Sequence, residues 1–165
     1  MKHISKILIF LLVLSLALPV SSASAAPEVT DKKELRGVWV ATVANIDYPF
    51  KPTADPAVLK SETLKILDDA EAMGLNAIFL QVRPASDALY KSKLFPWSKY
   101  LTGSQGLAPD NAFDPLEFWV AEAHKRGMEL HAWINPYRIT KKTSKEPKHD
   151  LASLDPSNPA RLNPG

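Results

Sequence analysis

The stretch MGLNAIFLQVRP, residues 73–84, decides the fold. Gly74 is placed to end a helix, NAIFLQVR is an apolar run of strand length, and Pro84 blocks the continuation of that strand. The same succession recurs in RGMELHAWINP, residues 126–136, where Gly127 precedes a predicted strand from Glu129 to Asn135. A helix that closes directly before a buried strand is typical of a repeating β/α unit.

The flanking sequence supplies the other elements of these units. LRGVWVATV, residues 35–43, predicts a first strand that is buried on both faces. Asp55 and Asp114 each stand before a proline and predict the starts of two helices, from Pro56 to about Met73 and from Pro115 to Gly127. The stripes predicted to face the sheet are Leu59, Thr63, Ile66, Leu67, Ala70 and Met73 in the first helix, and Leu116, Trp119, Val120 and Ala123 in the second.

The order strand, helix, strand, helix, strand predicts a parallel sheet with right-handed crossovers. An open doubly wound sheet and a (β/α)8 barrel share this order. After the first strand the chain reads VANIDYP, which lacks a GxGxxG phosphate turn and counts against a nucleotide-binding sheet. Residues 85–112 form a connection long enough to be functional, and the C-terminal residues 139–165 read as loop, in which PSNPARL could hold a short turn of helix.

The N-terminus has the pattern of a signal peptide. MKHISK is basic, ILIFLLVLSLALPV is apolar but too short to span a bilayer comfortably, and Ala23 and Ala25 form an AxA cleavage pattern. We expect a signal peptide at residues 1–25, a polar leader at 26–33 and a domain at 34–165. An uncleaved membrane anchor is the alternative. The chain has no cysteine, which suits a bacterial protein that is secreted or associated with the cell wall and touches the membrane only during export.

The net charge of the mature chain does not favour a polyanionic partner. Removing Lys2 and Lys6 with the signal peptide leaves 18 of the 20 basic residues, equal to the 18 acidic residues. A near-neutral mature chain gives no support for binding nucleic acid or anionic membranes.

Polar side chains cluster where the predicted strands end. In parallel α/β folds ligands bind at the carboxyl ends of the strands, so these positions are the candidate site. Amide, guanidinium and aromatic groups together are typical of sugar sites. Tyr90, Trp97 and Tyr100 either stack on sugars or pack over the rim. The predicted substrate-binding residues are Asp47, Gln81, Arg83, Asp87, Asn135, Tyr137 and Arg138.

Alternatives remain for these residues. Arg83 could instead pair with a nearby carboxylate, and Asn135 could tie down a loop carbonyl. The histidines show no HxH or HExxH spacing, so no metal site is predicted, and no cofactor motif is present. Asp55 and Asp114 are better explained as helix caps than as an acid and base pair. The catalytic residues are therefore unknown.

Four segments carry a resemblance to a known family: ELRGVWVATVANIDYP, LNAIFLQVRPASDALY, FDPLEFWVAEAHKRGMELHAWINPYR and LNPG. They resemble the glycosyl-hydrolase-like 10 family of exported bacterial proteins. The resemblance implies a TIM-type (β/α)8 barrel that hydrolyses O-glycosyl bonds of an envelope or cell-wall polysaccharide, with peptidoglycan glycan strands favoured as substrate.

A complete barrel of this type needs about 250 residues. The expected fold is therefore α/β, the N-terminal part of such a barrel with about three β/α units, and the catalytic carboxylates implied by the resemblance have no matching positions. The alternatives are a carbohydrate-binding piece without catalysis and a nonfunctional truncated product.

Overall fold

The computed structural model of the chain describes residues 34–139 and 151–163. The signal peptide predicted at residues 1–25 and the leader at 26–33 lie outside the described residues. Across the described ranges, no helix has the length and apolar character needed to cross a membrane.

Within these described residues the sheet is parallel and has three strands: β1 (Gly37–Val40), β2 (Ala77–Arg83) and β3 (Glu129–Ile134). They lie in the order β1-β2-β3, with Trp39 opposite Phe79 and Phe79 opposite His131. The predicted α/β class and parallel strand order are confirmed. β1 is shorter than the predicted run from Leu35 to Val43, because the chain turns into a 3-10 helix at Val43–Asn45 after the strand ends.

Two long helices join the strands, α1 (Pro56–Ala72) and α3 (Pro115–Lys125). Both begin as the sequence predicts: the carboxylate of Asp55 accepts a hydrogen bond from Ala57 N, and that of Asp114 accepts hydrogen bonds from Leu116 N and Glu117 N. The short helix α2 (Lys99–Thr102) lies in the long connection, which the sequence presents as a loop. The short helix α4 (Pro159–Leu162) confirms the helical turn predicted at PSNPARL. Two further 3-10 helices lie at Asp110–Ala112 and Leu151–Ser153.

One face of the sheet packs against α1 and α3 and forms the core. Its strand residues Val40, Ile78, Leu80 and Val82 are buried, as are Leu59 and Leu67 of α1 and Trp119 and Ala123 of α3. Tyr48, from the loop after β1, is part of this core: its ring makes an edge contact with Trp119 at 5.2 Å between centroids, and burial raises the pKa of its hydroxyl to about 12. Tyr48 is therefore a packing residue.

The opposite face of the sheet carries an aromatic row. Phe79 lies between Trp39 and His131, stacked on each at a centroid distance of 4.7 Å, and Trp133 meets Trp39 edge-on. Trp39 is 59% exposed, so the prediction that β1 is buried on both faces is wrong. The reason is that no described element covers this face. Met73 is also exposed, contrary to the predicted stripe, because it is the C-cap residue, past the last residue of α1.

The two helix caps differ in how many backbone N–H groups depend on them. Within the described residues, the carboxylate of Asp114 also accepts a hydrogen bond from Lys91 N, in the long loop, whereas the carboxylate of Asp55 accepts only the hydrogen bond from Ala57 N. We expect Asp55→Ala to lower the free energy of unfolding by about 1 kcal/mol and Asp114→Ala by about 2 kcal/mol. Urea unfolding measures both. Equal losses would show that the bond to the loop adds no stability.

Candidate functional site

Most of the predicted site residues lie at the carboxyl edge of the sheet. The pairing of β2 with β3 is irregular here: Gln81 is opposite Trp133, and Arg83 is opposite Ile134. One residue of β2 is therefore without a partner, and the strand bends at the point where it meets the long loop. Such irregularities are common next to binding sites because they re-aim the side chains around them.

Gln81 holds the end of β1 in place. Its side-chain oxygen Oε1 accepts hydrogen bonds from Thr42 N at 3.0 Å and Val43 N at 2.8 Å, and its backbone carbonyl accepts one from the Thr42 hydroxyl. The side chain is completely buried, and its Nε2 has no partner among the described residues. The structure thus gives Gln81 a positioning role, and its contact with substrate stays a prediction.

Asp47 closes the loop after β1. Its carboxylate accepts a hydrogen bond from Ala41 N at 2.7 Å, and its own backbone N–H donates to Ala41 O. The carboxylate lies on the flank of α1, in a groove that it shares with Phe50 and Glu62. The structure therefore does not bring Asp47 together with the other candidate residues.

Arg83 is a cation without an anionic partner in the described part of the chain. Its guanidinium carbon lies 3.6 Å from the centroid of the Phe95 ring, a stacking contact, and its Nε is buried with no hydrogen-bond acceptor among residues 34–139 and 151–163. No described carboxylate forms an ion pair with Arg83. The alternative that Arg83 pairs with a nearby carboxylate is therefore not what the structure shows. A partly buried charge that no acidic group balances suits a residue that binds a ligand.

Asn135 connects the ends of β2 and β3. Its Oδ1 accepts a hydrogen bond from Trp133 Nε1 at 3.1 Å, and its Nδ2 donates to Pro84 O at 3.1 Å. The predicted alternative, that Asn135 ties down a loop carbonyl, is therefore present in the structure, and a substrate contact stays a prediction. Tyr137, two residues further on, is 95% exposed.

Asp87 and Arg138 meet in a small cavity at this edge. The cavity has a volume of about 70 Å³. Its lining residues are Pro84, Ala85, Asp87, Lys99, Tyr100, Gln105, Arg138, Ile139, Ser153 and Leu154. Four segments that are distant in the sequence thus contribute to one site.

The carboxyl group of Asp87 is buried in the cavity wall. It accepts a hydrogen bond from Ala85 N at 3.2 Å and a long one from Gln105 Nε2 at 3.5 Å. Burial raises its pKa above the ordinary value, an effect that hydrogen bonds from Ser98, Gln105 and the Ala85 backbone, and the charge of Lys99, partly offset. Burial and a displaced pKa in a cavity are properties of functional carboxylates.

Two residues that the sequence analysis missed complete the site. Asn158 is buried and donates from Nδ2 to Ser86 O at 2.7 Å and to Gln105 Oε1 at 3.3 Å. Gln105 Oε1 also accepts a hydrogen bond from Asp155 N, so the amide of Gln105 joins the long loop to the C-terminal segment. The sequence signal was the Asn158–Pro159 helix start, which predicts a short helix but not its contact with the cavity.

The aromatic residues of the long loop divide between the two predicted roles. Tyr90 and Trp97 pack against the core, as the rim-packing alternative holds, while Tyr100 lines the cavity. Within residues 34–139 and 151–163, no group of three or more His, Cys, Asp or Glu side chains is arranged to hold a metal ion.

The titration of Asp87 gives a prediction with a definite sign. The pKa of Asp87 is raised in the folded state, so its contribution to the free energy of unfolding is fully present below the ordinary pKa of an aspartate. This contribution is lost as the pH rises through the raised pKa of the folded state. Asp87→Asn does not ionise, so we expect its stability relative to the unmodified chain to increase as the pH rises from acidic to neutral.

Asp155→Asn is the matched comparison. Hydrogen bonds from Ser157 lower the pKa of Asp155, so the ionised carboxylate stabilises the fold above its ordinary pKa and this contribution is lost toward acidic pH. The free energy of unfolding of Asp155→Asn should therefore decrease relative to that of the unmodified chain as the pH rises. This is the opposite of the trend expected for Asp87→Asn. Urea unfolding at a series of pH values measures both, and parallel trends would contradict the assignment.

The sequence is similar to known glycosyl hydrolases. The family model for glycosyl hydrolase-like 10 matches residues 34–163. Glycosyl hydrolase YngK of Bacillus subtilis (strain 168) is 48% identical over 132 residues, which are 80% of this chain and 24% of that protein. Glycosyl hydrolase DigH of Escherichia coli (strain K12) is 38% identical over 151 residues, 87% of this chain and 34% of that protein. The chain thus spans between a quarter and about a third of the length of these relatives, and it belongs to the glycosyl hydrolase-like 10 family.

Proposed function

We propose that this chain forms one wall of the substrate cleft of an exported (β/α)8-barrel glycoside hydrolase. The enzyme would hydrolyse O-glycosyl bonds of a bacterial envelope polysaccharide, with the glycan strands of peptidoglycan as the favoured substrate. The observation that carries the proposal is Arg83, a guanidinium stacked on Phe95 at the carboxyl edge of a parallel sheet with no carboxylate partner among the described residues.

The sheet supports the barrel part of the proposal. Within the described residues, β1 and β3 each pair on one side only. One face of the sheet is covered by helices, whereas the other carries the aromatic row of Trp39, Phe79, His131 and Trp133. In a (β/α)8 barrel the helices lie outside and large side chains fill the interior, which is the arrangement that these two faces would adopt.

The polar groups support the choice of a sugar ligand. A guanidinium presents N–H donors in a fixed plane, which suits the hydroxyl pairs of a sugar, and the exposed ring of Tyr137 offers a flat surface for its apolar face. Arg138 and Tyr100 extend the donor surface from the end of β3 across to α2. Together these groups match the hydroxyl groups and the apolar face of a sugar.

A second candidate function is glycan binding without turnover by this chain alone. It is favoured by the structural roles of four aspartates. Asp55 and Asp114 cap helices, Asp47 is held by Ala41 N, and Asp87 is buried against Ala85 N. Each of these groups already has a structural partner. Release of reducing ends from purified glycan strands by this chain would favour hydrolysis, and saturable binding without release would favour the second function.

Arg83→Ala tests the site directly. Removing a charged hydrogen-bond donor from a ligand contact costs about 1.5–3 kcal/mol, so we expect affinity for soluble peptidoglycan glycan strands to fall about tenfold or more. Isothermal titration calorimetry measures the affinity, and circular dichroism checks the fold.

Arg36→Ala is the control. Arg36 lies at the opposite end of the sheet, where its Nε donates to Gly74 O, and its replacement should leave the affinity for glycan unchanged. Equal losses in the two variants would contradict a binding site at the carboxyl edge.

A further inference from the structure

We propose that a groove between the long loop and the C-terminal segment is a second sugar subsite, which binds the hydroxyl groups of a further residue of the same glycan chain. Its lining includes Lys93 and Gly106 of the long loop and Asp155 of the C-terminal segment. This inference rests on the proposed function, since it adds a second contact for the polysaccharide that binds at the carboxyl edge.

The groove is large enough for a sugar ring. Its volume is about 210 Å³, three times that of the cavity between Asp87 and Arg138. One water molecule needs roughly 10–15 Å³, so the groove has room for about 14–21 water-sized groups. The ring and hydroxyl groups of one hexose residue need less than this. A single sugar residue can therefore lie in the groove.

The carboxylate of Asp155 is only partly used by the protein. Its Oδ1 accepts hydrogen bonds from Ser157 N at 2.8 Å and from the Ser157 hydroxyl at 2.6 Å, whereas its Oδ2 accepts none within the described residues. The hydrogen bonds from Ser157 lower the pKa of Asp155, so the group is ionised near neutral pH. An ionised carboxylate oxygen without a partner is a strong acceptor for a sugar hydroxyl.

The fold holds this oxygen close to the backbone of the long loop. Gly106 has a φ of +85°, and a Cβ there would lie 2.1 Å from Asp155 Oδ2. Gly106 N donates to Trp97 O at 2.9 Å, and Asp155 N donates to Gln105 Oε1 at 2.9 Å. Glycine therefore lets the loop and the carboxylate approach each other, and backbone hydrogen bonds on both sides fix the wall of the groove.

Lys93 brings the opposite charge to the same groove. Its side chain is exposed, and in the described part of the chain neither Lys93 nor Asp155 forms an ion pair. A hydroxyl group can accept a hydrogen bond from an ammonium and donate one to a carboxylate, so neighbouring hydroxyls of a sugar can bridge the two charges. A ligand group with a net charge would be attracted by one of them and repelled by the other.

The groove adjoins the site at the carboxyl edge. Phe95, on which Arg83 stacks, also lines the groove. Gln105 lines the small cavity, and its neighbour Gly106 lines the groove. A glycan chain that is bound at Arg83 therefore has a path across Phe95 into the groove.

The test compares a disaccharide and an octasaccharide of peptidoglycan glycan strands, each bound to the full chain and measured by isothermal titration calorimetry. The disaccharide can occupy only one of the two sites, whereas the octasaccharide can span both. We expect the octasaccharide to bind about tenfold more tightly. A longer ligand also offers more binding registers, so variants of the groove must show where the difference arises.

Lys93→Ala and Asp155→Asn each remove one charged partner from the groove. We expect either variant to lower the affinity for the octasaccharide about tenfold and to leave the affinity for the disaccharide unchanged, because only the longer ligand loses a hydrogen bond to a charged group. Lys93 is exposed, so its replacement does not threaten folding. Lys91→Ala, an exposed lysine outside the lining of the groove, is the matched control and should change neither affinity.

Equal affinities for the two ligands would overturn the second subsite and leave glycan binding at Arg83 intact. An octasaccharide affinity that survives in both Lys93→Ala and Asp155→Asn would overturn it as well. Failure of both ligands to bind the unmodified chain would overturn this inference together with the proposed function.

Discussion

The hydrogen bonds from Thr42 N and Val43 N to the side chain of Gln81 organise the carboxyl edge of the sheet. β1 ends at Val40, so the backbone N–H groups that follow lack strand partners and need other acceptors. Gln81 Oε1 accepts hydrogen bonds from two of these groups, Thr42 N and Val43 N. Leaving a buried N–H group unpaired would lower the stability of the fold by about 1–3 kcal/mol. The loop from β1 therefore leaves the sheet in a fixed direction, and Asn45 can reach across to bond Pro49 O and Tyr100 O. Tyr100 in turn lines the cavity.

Other side chains at the carboxyl edge have the same role. They hydrogen-bond to the backbone of the loops, and they are also the nearest neighbours of the candidate site. Asn135 joins β3 to Pro84 O, and Asn158 joins the C-terminal segment to Ser86 O. Gly106 is required where these segments meet: its φ is +85°, and a Cβ there would lie 2.1 Å from the carboxylate of Asp155. Amides dominate because one side chain both donates and accepts, so it can connect two backbone segments while contributing no charge.

The sequence predicted the features that depend on local rules. Helix starts at Asp55 and Asp114, helix ends near Gly74 and Gly127, and the parallel order of the strands all follow from capping, backbone freedom and hydrophobic runs. The position of Gln81 near the end of a predicted strand placed it among the substrate contacts, because such reasoning locates a side chain at one edge of the sheet and cannot say what already covers it. Gln105 and Asn158 lie about 50 residues apart, and no local rule connects them. The exposure of Trp39 could not be predicted from β1 alone, because it depends on whether another element covers that face of the sheet.

Arg83 shows how such a site can persist at a cost to stability. A guanidinium whose Nε is buried without an acceptor among the described residues lowers stability, and the ring of Phe95 compensates only in part, since a cation–π contact contributes about 0.5–2 kcal/mol. A leucine at this position would pack on Phe95 without the desolvation of a charge. In the proposed enzyme the ligand becomes a polar partner of the guanidinium, so binding offsets part of the penalty that folding leaves in place. Local instability at Arg83 and affinity for a polar ligand are then two consequences of the same unpaired group.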